Sequence, residues 1–212
     1  MKKGFLGLIL ALIFVGAFSL IESSIWTNSK IHVLIAIAVM ASVYQPSYSP
    51  FKKAANDKDQ GTALQIIWSI YISQFLCLFE AIYFKYPSSM EWSPYAIAAT
   101  VLAVFGLILR SWAYKELGDF FTWHINVESD QKVVKSGPYK VVCHPSYTGA
   151  FMTYFFTCIM LHSFFAAGAS FILMFFCFYR RISYEEKEMI KELGEEYESF
   201  CNSRSKLIPF IW

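Results

Sequence analysis

The sequence is short of charged residues. Asp, Glu, Lys and Arg make up 16% of its 212 residues, whereas soluble domains carry about a quarter. The formal net charge of +2 leaves no basic excess of the kind that binds nucleic acid. Hydrophobic residues instead make up 56% and are gathered into long runs. The composition argues against a nucleic-acid-binding protein and predicts a protein embedded in the lipid bilayer.

Cysteine is also scarce, and its spacing follows no recognisable pattern. The five cysteines are odd in number and include no C-x-x-C pair: Cys77, Cys143, Cys158, Cys177 and Cys201. Nothing in that spacing indicates a disulfide framework or a zinc site. We therefore expect reduced thiols, mostly packed in helices, and no resident metal.

Five apolar runs stand out, at 4–21, 31–45, 62–84, 94–110 and 146–179. The last has 34 residues, which as one helix would be ~51 Å long and exceed a ~30 Å hydrocarbon core. It is better interpreted as a helical hairpin turning near His162 and Ser163. The sequence predicts an all-α, polytopic membrane protein with about five to six transmembrane helices.

Basic residues predict the orientation. The first run follows Lys2 and Lys3 as in a signal peptide, but its length and the later spans favour a retained anchor. With the N-terminus in the cytosol, only Lys30 and Lys85 lie on the far side, in accord with the positive-inside bias. Residues 46–61 then form a solvated cytosolic loop.

A polar segment at 137–149 interrupts the apolar pattern: Gly-Pro-Tyr-Lys-Val-Val-Cys-His-Pro-Ser-Tyr-Thr-Gly. Non-helical backbone at membrane depth is tolerated where it is buried in protein or lines a cavity. Pro145 favours a helix start directly after His144, and Tyr139 and Tyr147 flank that start. The segment is therefore an ordinary loop or the floor of a ligand site, and we expect the site.

Residues 182–201 predict an amphipathic helix whose apolar side chains recur every three or four residues. At its start, Arg181 and Glu185 are four residues apart and share one helix face. In one interpretation the arginine anchors the helix at the membrane surface and forms an ion pair with the glutamate. In the other, both contact a ligand: the arginine binds an anionic group, and the glutamate binds a hydroxyl or ammonium group. Arg110 likewise either reaches the membrane interface or marks an anion site.

These residues resemble the isoprenylcysteine carboxyl methyltransferase family. The resemblance rests on four stretches in the family's order: 109–118, 137–139, 144–149, and a last one that starts with 181–186, continues at 194–197 and closes with 207–211. Before residue 94 the chain resembles the family only in being made of hydrophobic helices. One departure is Cys143, which stands where the family usually has arginine.

The resemblance implies a single helical membrane domain over 1–212, with N-terminal membrane helices in 1–93 and the catalytic and cofactor-binding part in 94–212. It implies methyl transfer from S-adenosyl-L-methionine to the α-carboxylate of a C-terminal S-prenylated cysteine, carried by prenylated proteins. The location implied is the endoplasmic reticulum for a eukaryotic source, with the N-terminus, the 137–149 segment and the C-terminus in the cytosol.

Residue roles follow from the same resemblance. Arg181 would bind the substrate carboxylate, with Arg110 a second residue there. The implied cofactor-binding residues are His124, Gln131, Lys132, Val133, Val134, Tyr139, His144, Pro145, Ser146, Tyr147 and Glu185.

Three alternatives stay open at this point. Membrane sterol or steroid reductases that use NADPH share a His-Pro-x-Tyr-x-Gly stretch, although 137–139 and the Glu185–Glu186 pair favour the methyltransferase. A methyltransferase acting on a lipid or another small amphipathic acceptor is the second. The third is a non-enzymatic membrane protein whose motif only packs, and Cys143 is its main support.

Overall fold

The computed structural model describes residues 2–46, 57–125 and 131–207. These residues contain no β-strand, and a lone parallel bridge joins Val142 to Ser205. The α-helices are α1 (Lys2–Ser19), α2 (Ser29–Tyr44), α3 (Thr62–Phe79), α4 (Pro94–Leu117), α5 (Pro145–Met160), α6 (Phe164–Leu193) and α7 (Glu195–Asn202). The predicted all-α class is confirmed.

Among the described residues, three helical stretches are long and apolar enough to cross a membrane: Thr62–Phe84, Pro94–Phe120 and Phe164–Leu193. Helices α1 and α2 are shorter apolar helices. Large apolar side chains cover the outside of the bundle; Phe165 is 84% exposed and Ile172 is 72% exposed. Such surfaces suit contact with lipid rather than water, so the fold is that of an integral membrane protein.

Local sequence sets most helix ends. Pro94 opens α4, where the Ser93 side chain accepts a hydrogen bond from Ala96 N at 3.2 Å. The long apolar run divides between Met160 and Phe164, as expected. His162 lies at the turn with a φ of 56°, a left-handed conformation that cannot continue a helix.

The amphipathic helix predicted over 182–201 is present as the end of α6 together with α7. Helix α6 runs without a break from the apolar run to Leu193 and contains 30 residues. No proline or glycine lies between Gly168 and Gly194 to stop it. Gly194, with a φ of 64°, ends α6 and begins α7.

Helices α4 and α5 pack backbone to backbone through two glycines. A Cβ added to Gly149 would lie 2.5 Å from the Gly106 carbonyl oxygen and 2.6 Å from Arg110 N. Small residues let membrane helices approach this closely. The contact holds Arg110 against the first turn of α5, where its Nη1 donates to the Ser146 carbonyl at 2.9 Å.

The 137–149 segment and the C-terminal tail lie at the same end of the bundle. Cys143 N donates to Ser205 O at 2.9 Å, and His144 N donates to Lys206 O at 3.0 Å. At the other end of α5, Lys85 Nζ donates to His162 O at 3.1 Å and Lys30 Nζ lies 3.2 Å from His162 Nε2. The basic residues are thus divided between two ends as the sequence predicts; which end faces the cytosol stays a prediction.

We expect Gly149→Ala to lower the thermal unfolding temperature, because the added methyl group must separate α4 from α5. Overpacking of this kind costs about 1–3 kcal/mol. Gly168→Ala is the matched control, since a Cβ there meets no atom within 4 Å. Equal unfolding temperatures for the two variants in detergent would contradict the close packing.

Candidate functional site

One cavity brings together residues that are far apart in the sequence. It is lined by α4, the 120–125 and 131–134 segments, the start of α5, and α6 and α7. The sequence-predicted residues that line it are Arg110, His124, Gln131, Lys132, Val133, Val134, Tyr139, His144, Ser146, Tyr147, Arg181 and Glu185. Pro145 is buried and acts as the first residue of α5 instead.

Arg181 is the most heavily bonded side chain of the cavity, and it is only 4% exposed. Its Nη1 donates to the Asp59 carboxylate and to Thr62 Oγ1, the latter at 3.0 Å. Its Nη2 donates to the Trp123 carbonyl at 3.0 Å, and its Nε to Tyr147 Oη at 3.1 Å. A buried charge needs such partners to offset its lost hydration.

Arg110 is also 4% exposed, so it does not simply reach the interface. Its Nε donates to Gln45 Oε1 at 3.0 Å, and its Nη1 to the carbonyl and hydroxyl of Ser146 at 2.9 and 3.3 Å. Both arginines therefore contact consecutive residues of α5, Ser146 and Tyr147. They form two positive charges at one end of the cavity.

A tyrosine connects Arg181 to a carboxylate. Tyr147 Oη donates to Glu185 Oε2 at 2.5 Å, and Arg181 Nε lies 3.4 Å from the same oxygen. The ion pair expected from the four-residue spacing is present.

Burial raises the pKa of Tyr139, and the negative charge of Glu185 adds to that effect. Tyr139 is therefore a neutral phenol in the cavity wall.

His144 is held by a carboxylate that the sequence reasoning did not assign. Its Nε2 lies 3.1 Å from Glu186 Oε1, while Lys206 Nζ lies 2.5 Å from Glu186 Oε2. The tail lysine and the motif histidine thus share one carboxylate. Such a pairing fixes the orientation of the imidazole ring.

Asp59 was missed because 46–61 was interpreted as a solvated loop. In the described part of that segment Asp59 is 1% exposed, so the interpretation is wrong at this position. Residues 47–56 of the segment lie outside the described residues. The only signal for Asp59 was its place just before an apolar helix, where acidic residues commonly cap.

Aromatic rings line the side of the cavity nearest α4. The ring centroids of Tyr114 and Phe121 are 4.4 Å apart, and those of Phe121 and Trp123 are 5.7 Å apart. Phe200 and Tyr197 of α7 line the cavity as well. Aromatic faces attract cations, so the cavity suits a ligand with both a positive centre and apolar parts.

The interpretation of all five cysteines as reduced thiols is wrong for one pair. Cys143 and Cys201 form a disulfide across 58 residues with their Cα atoms 5.4 Å apart. Cys77, Cys158 and Cys177 are free and buried. The pair forms because α7 returns to the 137–149 segment, a long-range contact that cysteine spacing does not encode.

Donor atoms of Cys143, His144, Glu186 and Cys201 lie within 4.8 Å of one another. Residues of these types can bind metal ions. Here the two sulfurs are bonded to each other, and Glu186 is shared by His144 and Lys206. Their donors are already engaged, and the absence of a resident metal stays a prediction.

Comparison with known proteins shows which family the cavity residues resemble. Residues 97–191 match the profile of the isoprenylcysteine carboxyl methyltransferase (ICMT) family. The matched segment contains both cavity arginines, the 137–149 segment and Glu185, whereas Gln45 and Asp59 precede it.

Curated relatives extend the likeness beyond the ICMT segment. The chain is 29% identical over 136 residues to a probable protein-S-isoprenylcysteine O-methyltransferase of Oryza sativa subsp. indica, covering 63% of this chain and 70% of that protein. It is 30% identical over 112 residues to protein-S-isoprenylcysteine O-methyltransferase B of Arabidopsis thaliana, covering 52% and 57%. For the protein-S-isoprenylcysteine O-methyltransferase of Saccharomyces cerevisiae, the identity is 31% over 144 residues, covering 64% and 59%. These matches favour the methyltransferase over the reductase.

We expect Glu186→Gln to destabilise the protein, because it leaves Lys206 and His144 without their shared charge partner. Removing one member of a partly buried network costs about 1–3 kcal/mol. Glu198→Gln is the control, since Glu198 is exposed on α7. Thermal unfolding in detergent measures both variants, and an unchanged unfolding temperature for Glu186→Gln would show that the network contributes nothing.

Proposed function

We propose that this chain transfers a methyl group from S-adenosyl-L-methionine to the α-carboxylate of a C-terminal S-prenylated cysteine. One observation carries the proposal. Two buried arginines, Arg110 and Arg181, share a cavity with the His144–Tyr147 turn and Glu185, inside the segment that matches the ICMT family. Arginine matches the shape and charge of a carboxylate.

The residues present fit the proposed methyl donor. S-adenosyl-L-methionine carries a sulfonium, an ammonium, a carboxylate and an adenine ring. Glu185 suits the ammonium, the aromatic rings suit the sulfonium, and Lys132 suits the carboxylate. Val133, Val134 and Met189 offer an apolar surface for the adenine. The remaining proposed contacts are His124, Gln131, Tyr139, His144, Ser146 and Tyr147.

Methyl transfer to a carboxylate requires that the donor and the acceptor be correctly positioned, and it requires no proton transfer. A carboxylate acceptor is already ionised at neutral pH, so no general base is required. The bound donor supplies an electrophilic methyl group. Arg110 and Arg181 orient the acceptor oxygen toward it, and fixing two reactants in this way can provide much of the rate enhancement. The aromatic wall excludes water from the reacting atoms.

A second groove supports a prenylated acceptor. It has a volume of about 770 Å³ and lies between α2 and α4, with Lys3 and Lys115 among its lining residues. Most of the lining is apolar: Met40, Val43, Tyr44, Leu107, Ile108 and Trp112. Tyr114 lines both the groove and the cavity. A prenyl chain can thus lie in the groove while its carboxylate is near Arg110.

The location is part of the proposal. Prenylated cysteines are presented by proteins at the cytosolic face, which is where the positive-inside bias puts the cavity. We propose that the cavity opens to the cytosol, and that the membrane is the endoplasmic reticulum if the source is eukaryotic.

The test is radiolabelled methyl transfer from S-adenosyl-L-methionine to N-acetyl-S-farnesylcysteine by protein purified in detergent. We expect base-labile label in the product, and a loss of about a hundredfold or more in Arg110→Ala and Arg181→Ala, because the acceptor is no longer oriented. Arg180→Ala is the matched control, since Arg180 binds Gln65 Oε1 and the Gln60 carbonyl instead.

Other outcomes separate the alternatives. Donor binding without transfer to the prenylcysteine would contradict the acceptor and favour a lipid, which vesicles containing phosphatidylethanolamine would reveal. Absence of donor binding would contradict the methyltransferase itself. Full activity in Arg181→Ala would contradict the role given to the arginine.

A further inference from the structure

Arg181, which lines the cavity, contacts a buried carboxylate that the chemistry above does not use. Asp59 is 1% exposed and precedes the matched segment 97–191. Its Oδ2 accepts a hydrogen bond from Ala63 N at 3.3 Å, and its carbonyl accepts one from Thr62 Oγ1 at 2.7 Å. The first turn of α3 therefore fixes Asp59 in place, independently of Arg181.

Asp59 limits what Arg181 can offer to an acceptor. A guanidinium has five N–H groups. In Arg181 the Nη1 group donates to Asp59 and Thr62, Nε donates to Tyr147, and Nη2 donates to Trp123. Within the described residues, one N–H on Nη2 is left over. Two parallel N–H groups are needed to grip both oxygens of a carboxylate.

Arg110 supplies the complementary donor. Its Nε is bonded to Gln45 and its Nη1 to Ser146, and Nη2 makes no hydrogen bond to the described residues. Arg110 and Arg181 line the same cavity. A carboxylate there meets a limited set of N–H donors from two arginines rather than a full fork from one.

We infer that Asp59 is a positioning residue that keeps Arg181 from gripping both oxygens of the acceptor carboxylate. This inference rests on the proposed carboxyl methyl transfer. In that step a lone pair of one carboxylate oxygen forms the O–CH₃ bond while the S–CH₃ bond breaks. The bonding pair stays on sulfur, and no proton moves. An oxygen held by a charged fork is a weaker nucleophile because the ground state is stabilised more than the transition state.

Asp59→Asn tests the inference by keeping the shape and removing the charge. The neutral amide holds Nη1 weakly, so the acceptor displaces it and is gripped by one N–H of Nη1 together with the remaining N–H of Nη2. We expect KM for N-acetyl-S-farnesylcysteine to fall about threefold and kcat to fall about tenfold, the pattern of a deeper ground state. The Kd for S-adenosyl-L-methionine should not change. Glu192→Gln is the matched control, since Glu192 pairs with Lys58 on the surface.

A second variant guards against a folding defect. Thr62→Val frees one Nη1 N–H while leaving the Asp59 charge, and it should move KM and kcat in the same directions by less. If Asp59→Asn is misfolded and does not bind S-adenosyl-L-methionine, the KM and kcat of Thr62→Val decide whether the inference holds. The inference would be overturned if KM for the acceptor were unchanged or raised in the deciding variant. It would also be overturned if KM fell while kcat did not, because Asp59 would then only compete with the acceptor for Arg181. Failure of the proposed function can be distinguished from failure of the inference. In that case the unaltered chain would transfer no methyl group, and both the proposed function and the inference would be overturned.

Discussion

The buried charge of Arg181 determines how the site is assembled. Removing a guanidinium from water is costly unless partners satisfy it, and these partners come from separate parts of the chain. Asp59 lies just before α3 and Thr62 is its first residue, Trp123 belongs to the segment after α4, and Tyr147 belongs to α5. Because the counter-ion Asp59 lies outside the matched segment 97–191, the part of the chain before that segment contributes to the candidate site and is not only a membrane anchor.

The second constraint is the glycine contact between α4 and α5. It explains the order of residues in the His144–Gly149 stretch, in which each position has a separate task. Pro145 begins the helix, Ser146 holds Arg110, and Tyr147 joins Arg181 to Glu185. Gly149 then allows the two backbones to meet. A side chain at Gly149 would therefore press against Arg110 and move it relative to Arg181.

The fold was largely predictable because apolar runs and local stop signals determine membrane helices. Pro94, Pro145 and the His162 turn are local signals, and each is found where the sequence places it. The continuity of α6 is not evident from the sequence pattern, because the composition changes from apolar to amphipathic at a point where no residue breaks a helix. The cavity residues of 110–185 were found through a resemblance. The roles of Asp59, Gln45 and the Cys143–Cys201 pair depend on long-range contacts; only Asp59 has a local signal, its place before an apolar helix, and that signal does not reveal its contact with Arg181.

The central claim is that an acceptor carboxylate lies between two arginines whose arrangement is set by residues from both halves of the chain. A structure with S-adenosylhomocysteine and S-farnesylcysteine bound tests it most directly. The account predicts the carboxylate within hydrogen-bonding distance of Arg110 and Arg181, the Arg181–Asp59 pair intact, and the farnesyl chain between α2 and α4. A carboxylate bound elsewhere, with both arginines engaged only by protein groups, would contradict it.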